Sequence, residues 1–521
     1  MRTGQLDLVL VNPGSRLRLY QALGERLTAV ENPVWAGLIA TFVRQRGFSV
    51  EIVDAEADDL SPEETAARIA DLRPRLATVV VYGHQPSAST QNMTGASAIV
   101  TAIKTTSPDT RVLMLGGHVA ALPERTLQEE SCDYVTGDEG LYGVSDLLTA
   151  LRQSDTPDLG HVRGLVYRRD DVVVANAAAP LVKDVEHEMP AIAWDLLPMS
   201  RYRAHNWHCF GGIEREPYAA IYTTLGCPYH CSFCCIQAPF KSGEKALGLR
   251  ENVNSYRFWP PAKVIEQIDL LVQKYGVRNI KFADEMFVLH PRHVIGICDL
   301  LIERNYNLNI WAYARVDTVK DEMLDKLKRA GFNWLAFGIE AANEGVLNDV
   351  DKRYRVDQVY EAVEKVKSAG IHIIGNYIFG LPEDTPDTMQ QTLDLAMDLN
   401  CEFANFYCAM AYPGSPLYQQ ALSNGWQLPR TWSGYSQHAI DTLPLPTRHV
   451  SAGDVLRFRD DAFHHYFTNA RYLDLVRTTF GESTLSHVAQ MTAHRLERMH
   501  ASPQGSYAPS SSPAPAASPD V

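Results

Sequence analysis

Apolar and polar positions repeat at two periods in the first 150 residues. Short apolar runs at 6–13 (LDLVLVNP), 48–55 (FSVEIVDA), 76–83 (LATVVVYG) and 111–117 (RVLMLGG) read as buried strands, with a further short one in 133–140 (DYVTGDEG). Between them, 33–47 (PVWAGLIATFVRQRG) reads as a helix closed by Gly47, and 61–72 (SPEETAARIADL) as a helix opened by a serine cap and an acidic first turn. Strands separated by helix-length segments predict a doubly wound parallel α/β sheet over residues 1–150, with a ligand crevice beyond the strand C-termini.

Residues 151–212 are less regular and read as a connector, with one strand near 162–168 and the segment WDLLPMSRY at 194–202. Alternation then resumes through 213–430. Strands are expected at 218–226, 277–285, 308–316, 333–341, 371–380 and 401–410, each followed by a helical segment or a turn. Such a series closes into a partial or full β/α barrel, which carries its chemistry at the C-terminal ends of the strands. Residues 431–500 read as helical, and 501–521, rich in Pro, Ser and Ala, as a disordered tail.

Composition narrows the function. The 521 residues include 48 basic and 62 acidic ones, a net charge of −14, which disfavours nucleic acid and anionic membranes as partners and favours small-molecule chemistry. Neither a secretory leader nor a membrane-length apolar stretch is visible, so a cytoplasmic enzyme is expected. Nine cysteines do not form a disulfide-like pattern, since four crowd between Cys227 and Cys235 while Cys132, Cys209, Cys298, Cys401 and Cys408 are scattered as small hydrophobes.

The crowded segment is Cys227-Pro-Tyr-His-Cys231-Ser-Phe-Cys234, directly after a predicted strand. Three such thiolates can hold three irons of a cubane and leave the fourth open to another ligand. A zinc site with His230 or Cys235 as fourth ligand is the alternative, although no second CxxC or HxxxH accompanies it.

With this CxxxCxxC loop and Phe233 before its last cysteine, the chain resembles the radical S-adenosylmethionine (SAM) superfamily. The resemblance implies that Cys227, Cys231 and Cys234 ligate a 4Fe-4S cluster, with Cys235 outside the ligand set, while SAM binds the open iron. It further implies that Asp284, Glu285, Arg315 and Glu340 at later strand ends, with Gly375 and Gly380, contact SAM. Residues 1–150 resemble the cobalamin-binding domain that precedes the barrel in one subgroup, on Asn12-Pro13, Glu31-Asn32-Pro33, Gly116-Gly117-His118 and Gly137-Asp138-Glu139-Gly140. By resemblance, Asn12, Pro13, Gly116, Gly117, His118, Gly137 and Glu139 are the cobalamin contacts. The DxHxxG motif that supplies histidine to cobalt is absent: neither His84 nor His118 has an aspartate two residues earlier.

The family's chemistry implies a methyltransferase that uses a 5′-deoxyadenosyl radical and methylcobalamin to methylate an unactivated carbon of a small molecule, with flavodoxin or ferredoxin as electron donor. Natural-product and antibiotic pathways are the implied setting. Cyclisation, ring contraction or oxidation is the second reading, and a non-enzymatic iron–sulfur or cobalamin sensor the third. Tyr407 and Tyr412, near the last strand, are candidates to line the substrate pocket.

Overall fold

The computed structural model describes residues 5–14, 19–21, 24 and 27–503. Its first sheet contains β1 (Leu8–Asn12), β2 (Val50–Asp54), β3 (Leu76–Val81), β4 (Val112–Gly116), β5 (Tyr134–Thr136), β6 (Leu165–Arg169) and β7 (Val172–Ala175), in the order β2-β1-β3-β4-β5-β6-β7. The first five are parallel, as the alternation of strand and helix predicts. The last two run antiparallel, so the expected connector extends the first sheet. Its outer hairpin turns at Asp170-Asp171, where φ of 49° and 63° gives the left-handed backbone that tight hairpin turns require. Nine residues of the helix Val34–Gln45 are buried, and Trp35 carries its packing on to Tyr82, Tyr222 and Phe240.

The second half builds from β8 (Tyr218–Ile221), a short β9 (Thr224–Gly226) and β10 (Tyr256–Phe258), then β11 (Asn279–Phe282), β12 (Asn309–Ala314), β13 (Phe332–Glu340), β14 (His372–Phe379) and β15 (Phe403–Cys408). Six of these form a parallel sheet in strict chain order, β8-β11-β12-β13-β14-β15, with the outer two unpaired: an open, partial barrel. Strands β9 and β10 form a separate antiparallel pair. One apolar core runs without a break from Leu8 in β1 through the barrel to Met491, whereas a second covers only the far face of the first sheet. The two halves therefore pack as one body.

Beyond the barrel, 431–451 is irregular rather than helical, with one short turn at Ser433–Tyr435. Pro444 and Pro446 lack helix donors, and Thr431 and Ser433 spend their hydroxyls on Asp441. Three helices follow, Ala452–Phe467, Ala470–Phe480 and Glu482–Ala493, the second opened by Asn469, whose side chain accepts from the Arg471 amide. Residues 504–521, most of the expected tail, lie outside the described residues. No helix among the described residues is long and apolar enough to cross a membrane.

Candidate active site

Gly226 ends β9 at φ +87°, and a Cβ there would lie 2.3 Å from the Ser255 carbonyl oxygen, so only glycine lets β10 press this closely on the strand entering the cysteine loop. The loop backbone is then tied down from several sides. Cys234 N–H donates to the Cys231 carbonyl (3.1 Å), Ser232 N–H to Val350 (3.1 Å), Leu417 N–H to Ser232 (2.8 Å), and Asn254 Nδ2 to Tyr229 (2.6 Å). None of the three thiols is in a disulfide: Cys227, Cys231 and Cys234 are half-buried and line one cleft of about 1200 Å³. Cys235 is 6% exposed and also reaches this wall, whereas His230 is exposed and lines no part of it. Among the described residues no three Cys, His, Asp or Glu side chains converge on a point that would hold a single metal ion. A cubane asks less convergence of its thiolates than a single zinc ion does, because each goes to a different iron.

Three strand ends project charge into the same cleft. Arg315, just after β12, lies with its guanidinium 3.9 Å from the Tyr229 ring centre and 3.8 Å from Cys231 Sγ, held by Asp317 (2.9 Å) and the Lys352 carbonyl (2.9 Å). Glu340 closes β13 at φ +61°, where the strand register shifts, and its carboxylate takes the Lys352 ammonium at 2.6 Å with both side chains under 10% exposed. Lys352 was not legible as a site residue in the sequence. Glu285 follows β11 into the cleft; burial pushes its carboxyl up to about 8, with Asp284 adding and Lys281 opposing.

Other expected SAM contacts sit elsewhere. Asp284 is fully buried behind the cleft wall, where it accepts from the Thr223 amide and hydroxyl at 2.9 Å each and so anchors the chain between β8 and β9. Gly375 leaves room for the Tyr377 ring, and Gly380, at φ +80°, for Val455; neither lines the cleft, while Asn376 and Ile378 do.

In the first sheet the strand order reverses between β1 and β3, which places the ligand crevice beyond those two strand ends. A cavity opens there, lined by Asn12, Pro13, Asn32, Tyr82 and His84, among others. Glu31 on its floor pairs with His84 Nδ1 (2.9 Å) and Lys281 (3.0 Å) and accepts from Tyr218 (2.7 Å); burial raises its carboxyl, but the two neighbouring charges outweigh it and hold it well below the ordinary range. His84 Nε2 lies 2.8 Å from the Asn32 carbonyl.

The remaining expected cobalamin contacts follow β4 and β5, away from the reversal, and line none of these spaces. Gly116 is glycine because a Cβ would sit 2.0 Å from the Val81 carbonyl oxygen of the neighbouring strand. Gly117 and Gly137 are half-buried with room for a Cβ, and His118, 1% exposed, packs between Thr90 and the edge of Trp432, its imidazole pushed down to about 3 by burial and by Arg125. Glu139 is an inter-half clamp, pairing with Arg257 of β10 at 2.7 Å.

A central chamber lies between the cysteine cleft and the β1/β3 crevice and shares walls with both. Gln85, Tyr313, Tyr407 and Tyr412 line both cleft and chamber, and Tyr20, Glu31 and His84 line both chamber and crevice. Gln85 Nε2 donates to the Tyr313 hydroxyl at 2.5 Å across the neck.

Residues 221–396 match the radical SAM superfamily, and residues 20–147 match the B12 binding domain. The chain is 27% identical over 469 residues to an uncharacterized methyltransferase of Pyrococcus horikoshii, covering 90% of this chain and 94% of that one. It is also 27% identical over 408 residues to the anaerobic magnesium-protoporphyrin IX monomethyl ester cyclase of Rubrivivax gelatinosus (77% and 68%). Among solved structures, the radical SAM methyltransferase TsrM of Kitasatospora setae superposes with a TM-score of 0.61 at 17% identity over 89% of each chain, a likeness of fold. The two matched domains mark an enzyme whose cofactors are a 4Fe-4S cluster, SAM and cobalamin. By these domains and their order, the chain belongs to the radical SAM superfamily, among the members whose radical SAM domain follows a B12-binding domain.

Proposed function

We propose that the protein is a cobalamin-dependent radical SAM methyltransferase acting on an unactivated carbon of a small molecule, with a natural product as substrate class. The observation that carries this reading is the row of three adjoining spaces from the cysteine loop to the β1/β3 crevice, with Gln85 and three tyrosines in the wall shared by the first two. Groups bound at its two ends supply one-electron cleavage of SAM and a transferable methyl group.

The chain's own residues bind, orient and shield. In this reading Cys227, Cys231 and Cys234 are the cluster ligands. Arg315 and Lys352 offset the negative charge that thiolates gather in a low-dielectric cleft, and Glu285, whose side chain has no hydrogen bond or ion pair among the described residues, receives an ammonium group. Asn12, Pro13 and Tyr82 offer a crevice wall for cobalamin. Tyr313, Tyr407 and Tyr412 close the neck with aromatic surface, which keeps water from reactive species. An external low-potential donor such as flavodoxin or ferredoxin completes the system, and the reducing cytoplasm is its expected setting.

The cyclase relative favours a second reading, cyclisation or oxidation at the same site. One experiment separates the two. The protein, reconstituted anaerobically with iron, sulfide, cobalamin and reductant, is given SAM and candidate metabolites. Methyl transfer yields both S-adenosylhomocysteine and 5′-deoxyadenosine, with the label of methyl-labelled SAM in the product. Deoxyadenosine with no S-adenosylhomocysteine and no label would overturn methylation in favour of the second reading, and neither product from a cluster-replete preparation would overturn both.

A further inference from the structure

Beside the central chamber, the helix Ala452–Phe467 and residues 491–501 enclose a further cavity of about 960 Å³. Four guanidinium groups line it, Arg457, Arg459, Arg495 and Arg498, against the two carboxylates Asp460 and Asp461. This local balance is opposite to that of the chain, whose net charge is −14.

The arginines divide into two kinds. Arg459 and Arg498 are committed: both pair with Asp460 (2.7 and 2.8 Å), and they also donate to the carbonyls of Phe406 and Gln437 respectively, which makes them a fixed wall. Arg457 and Arg495 have no ion pair or hydrogen bond among the described residues, and Arg457 Nε is buried without a partner. A buried N–H is normally satisfied, so this donor is short of an acceptor that none of the described residues supplies. Two uncommitted planar forks in one hollow are suited to an oxyanion, which each can hold through two parallel hydrogen bonds. The hollow also adjoins the central chamber: His438, Arg459, Phe463 and Met491 line both.

We infer that this cavity is an anion subsite, in which Arg457 and Arg495 hold a phosphate, phosphonate or carboxylate group of the substrate while the rest of the molecule extends into the chamber. The inference rests on the chamber being the reaction space proposed above, and it names the substrate as an anionic small molecule.

Isothermal titration of the reconstituted holoenzyme with sodium phosphate, and separately with sodium acetate, at fixed ionic strength tests it. The wild type is expected to bind one equivalent of at least one of them. The Arg457→Gln/Arg495→Gln variant should bind it at least tenfold more weakly, and Arg457→Lys/Arg495→Lys should recover part of the loss. Preference for phosphate assigns a phosphoryl or phosphonate group, and preference for acetate a carboxylate. Arg495→Gln alone, at an exposed position, serves if the double variant melts early. Absence of binding of both anions to the wild type, or equal binding by wild type and glutamine variants, overturns the subsite. Deoxyadenosine formation by the same wild-type preparation is scored separately: deoxyadenosine without anion binding sinks the subsite alone, and anion binding without deoxyadenosine sinks the reaction alone.

Discussion

Arg257→Met removes one half of the clamp between the first sheet and the barrel. In the intact protein the Arg257 guanidinium meets both oxygens of Glu139, at 2.7 and 3.2 Å, and donates to the Val182 carbonyl at 2.7 Å. The side chains are 11% and 5% exposed. Methionine keeps much of the volume but leaves the Glu139 carboxylate buried with a single hydrogen bond, from the Val182 amide at 3.1 Å. Breaking a buried pair on one side costs about 3–5 kcal/mol, most of it the penalty of the stranded charge. At about 2 °C per kcal/mol, the lower end of the range because the two halves form one body, the unfolding transition should fall by about 6–10 °C. Scanning calorimetry measures that shift, and equilibrium dialysis of cobalamin against the same variant measures the crevice. Glu139→Gln/Arg257→Met, which leaves no charge behind, should recover more than half of the loss. A shift below about 2 °C, accompanied by a loss of cobalamin affinity that Glu139→Gln reproduces, would refute the clamp and return Glu139 to the corrin.

Alanine at Cys227, Cys231 or Cys234 should abolish iron incorporation and deoxyadenosine formation, whereas Cys235→Ala should retain both; iron analysis of the purified variants decides, and equal loss at Cys235 would break the ligand assignment. SAM affinity should rise with pH toward about 8 as Glu285, held up to about 8 by burial, ionises to receive the SAM ammonium, and should fall again as the α-amino group loses its proton at about 8. Titrations from pH 6 to 9 should show that optimum, with the acid limb flattened in Glu285→Gln; an unchanged acid limb would exclude Glu285. Burial raises the Asp7 carboxyl, but bonds from Arg152 and Ser49 outweigh it and hold it at about 2. Its native value lies below the unfolded one of about 3.9, so its contribution is present above about pH 4 and lost as pH falls toward about 2. Acid unfolding of Asp7→Asn should lack that part of the pH dependence.

Local features were legible. The cysteine spacing lies within eight residues of one loop, and the strands around it are short apolar runs, so both are readable without knowing what packs on what. Glycines were legible as positions needing room, yet not for which neighbour: Gly116 yields to the Val81 carbonyl and Gly375 to the Tyr377 ring, where approach to a cofactor was expected. Lys352 carried no signal, since a lysine in a loop is ordinarily solvated. It enters the cleft only because β13 shifts register before Glu340 and turns that carboxylate toward it.

By itself, the amino-acid sequence determined the segments of strand and helix, the order of the two halves and the chemistry of the cysteine loop, because periodicity and short spacing are local properties. Tertiary structure alone decided which strand ends share a wall. The reversal between β1 and β3 puts Asn12 and His84 at the crevice, while His118 packs on Trp432 and Glu139 pairs with Arg257. That choice depends on sheet order and on contacts between residues far apart in the chain, such as Glu139 with Arg257, whose energies no local pattern encodes.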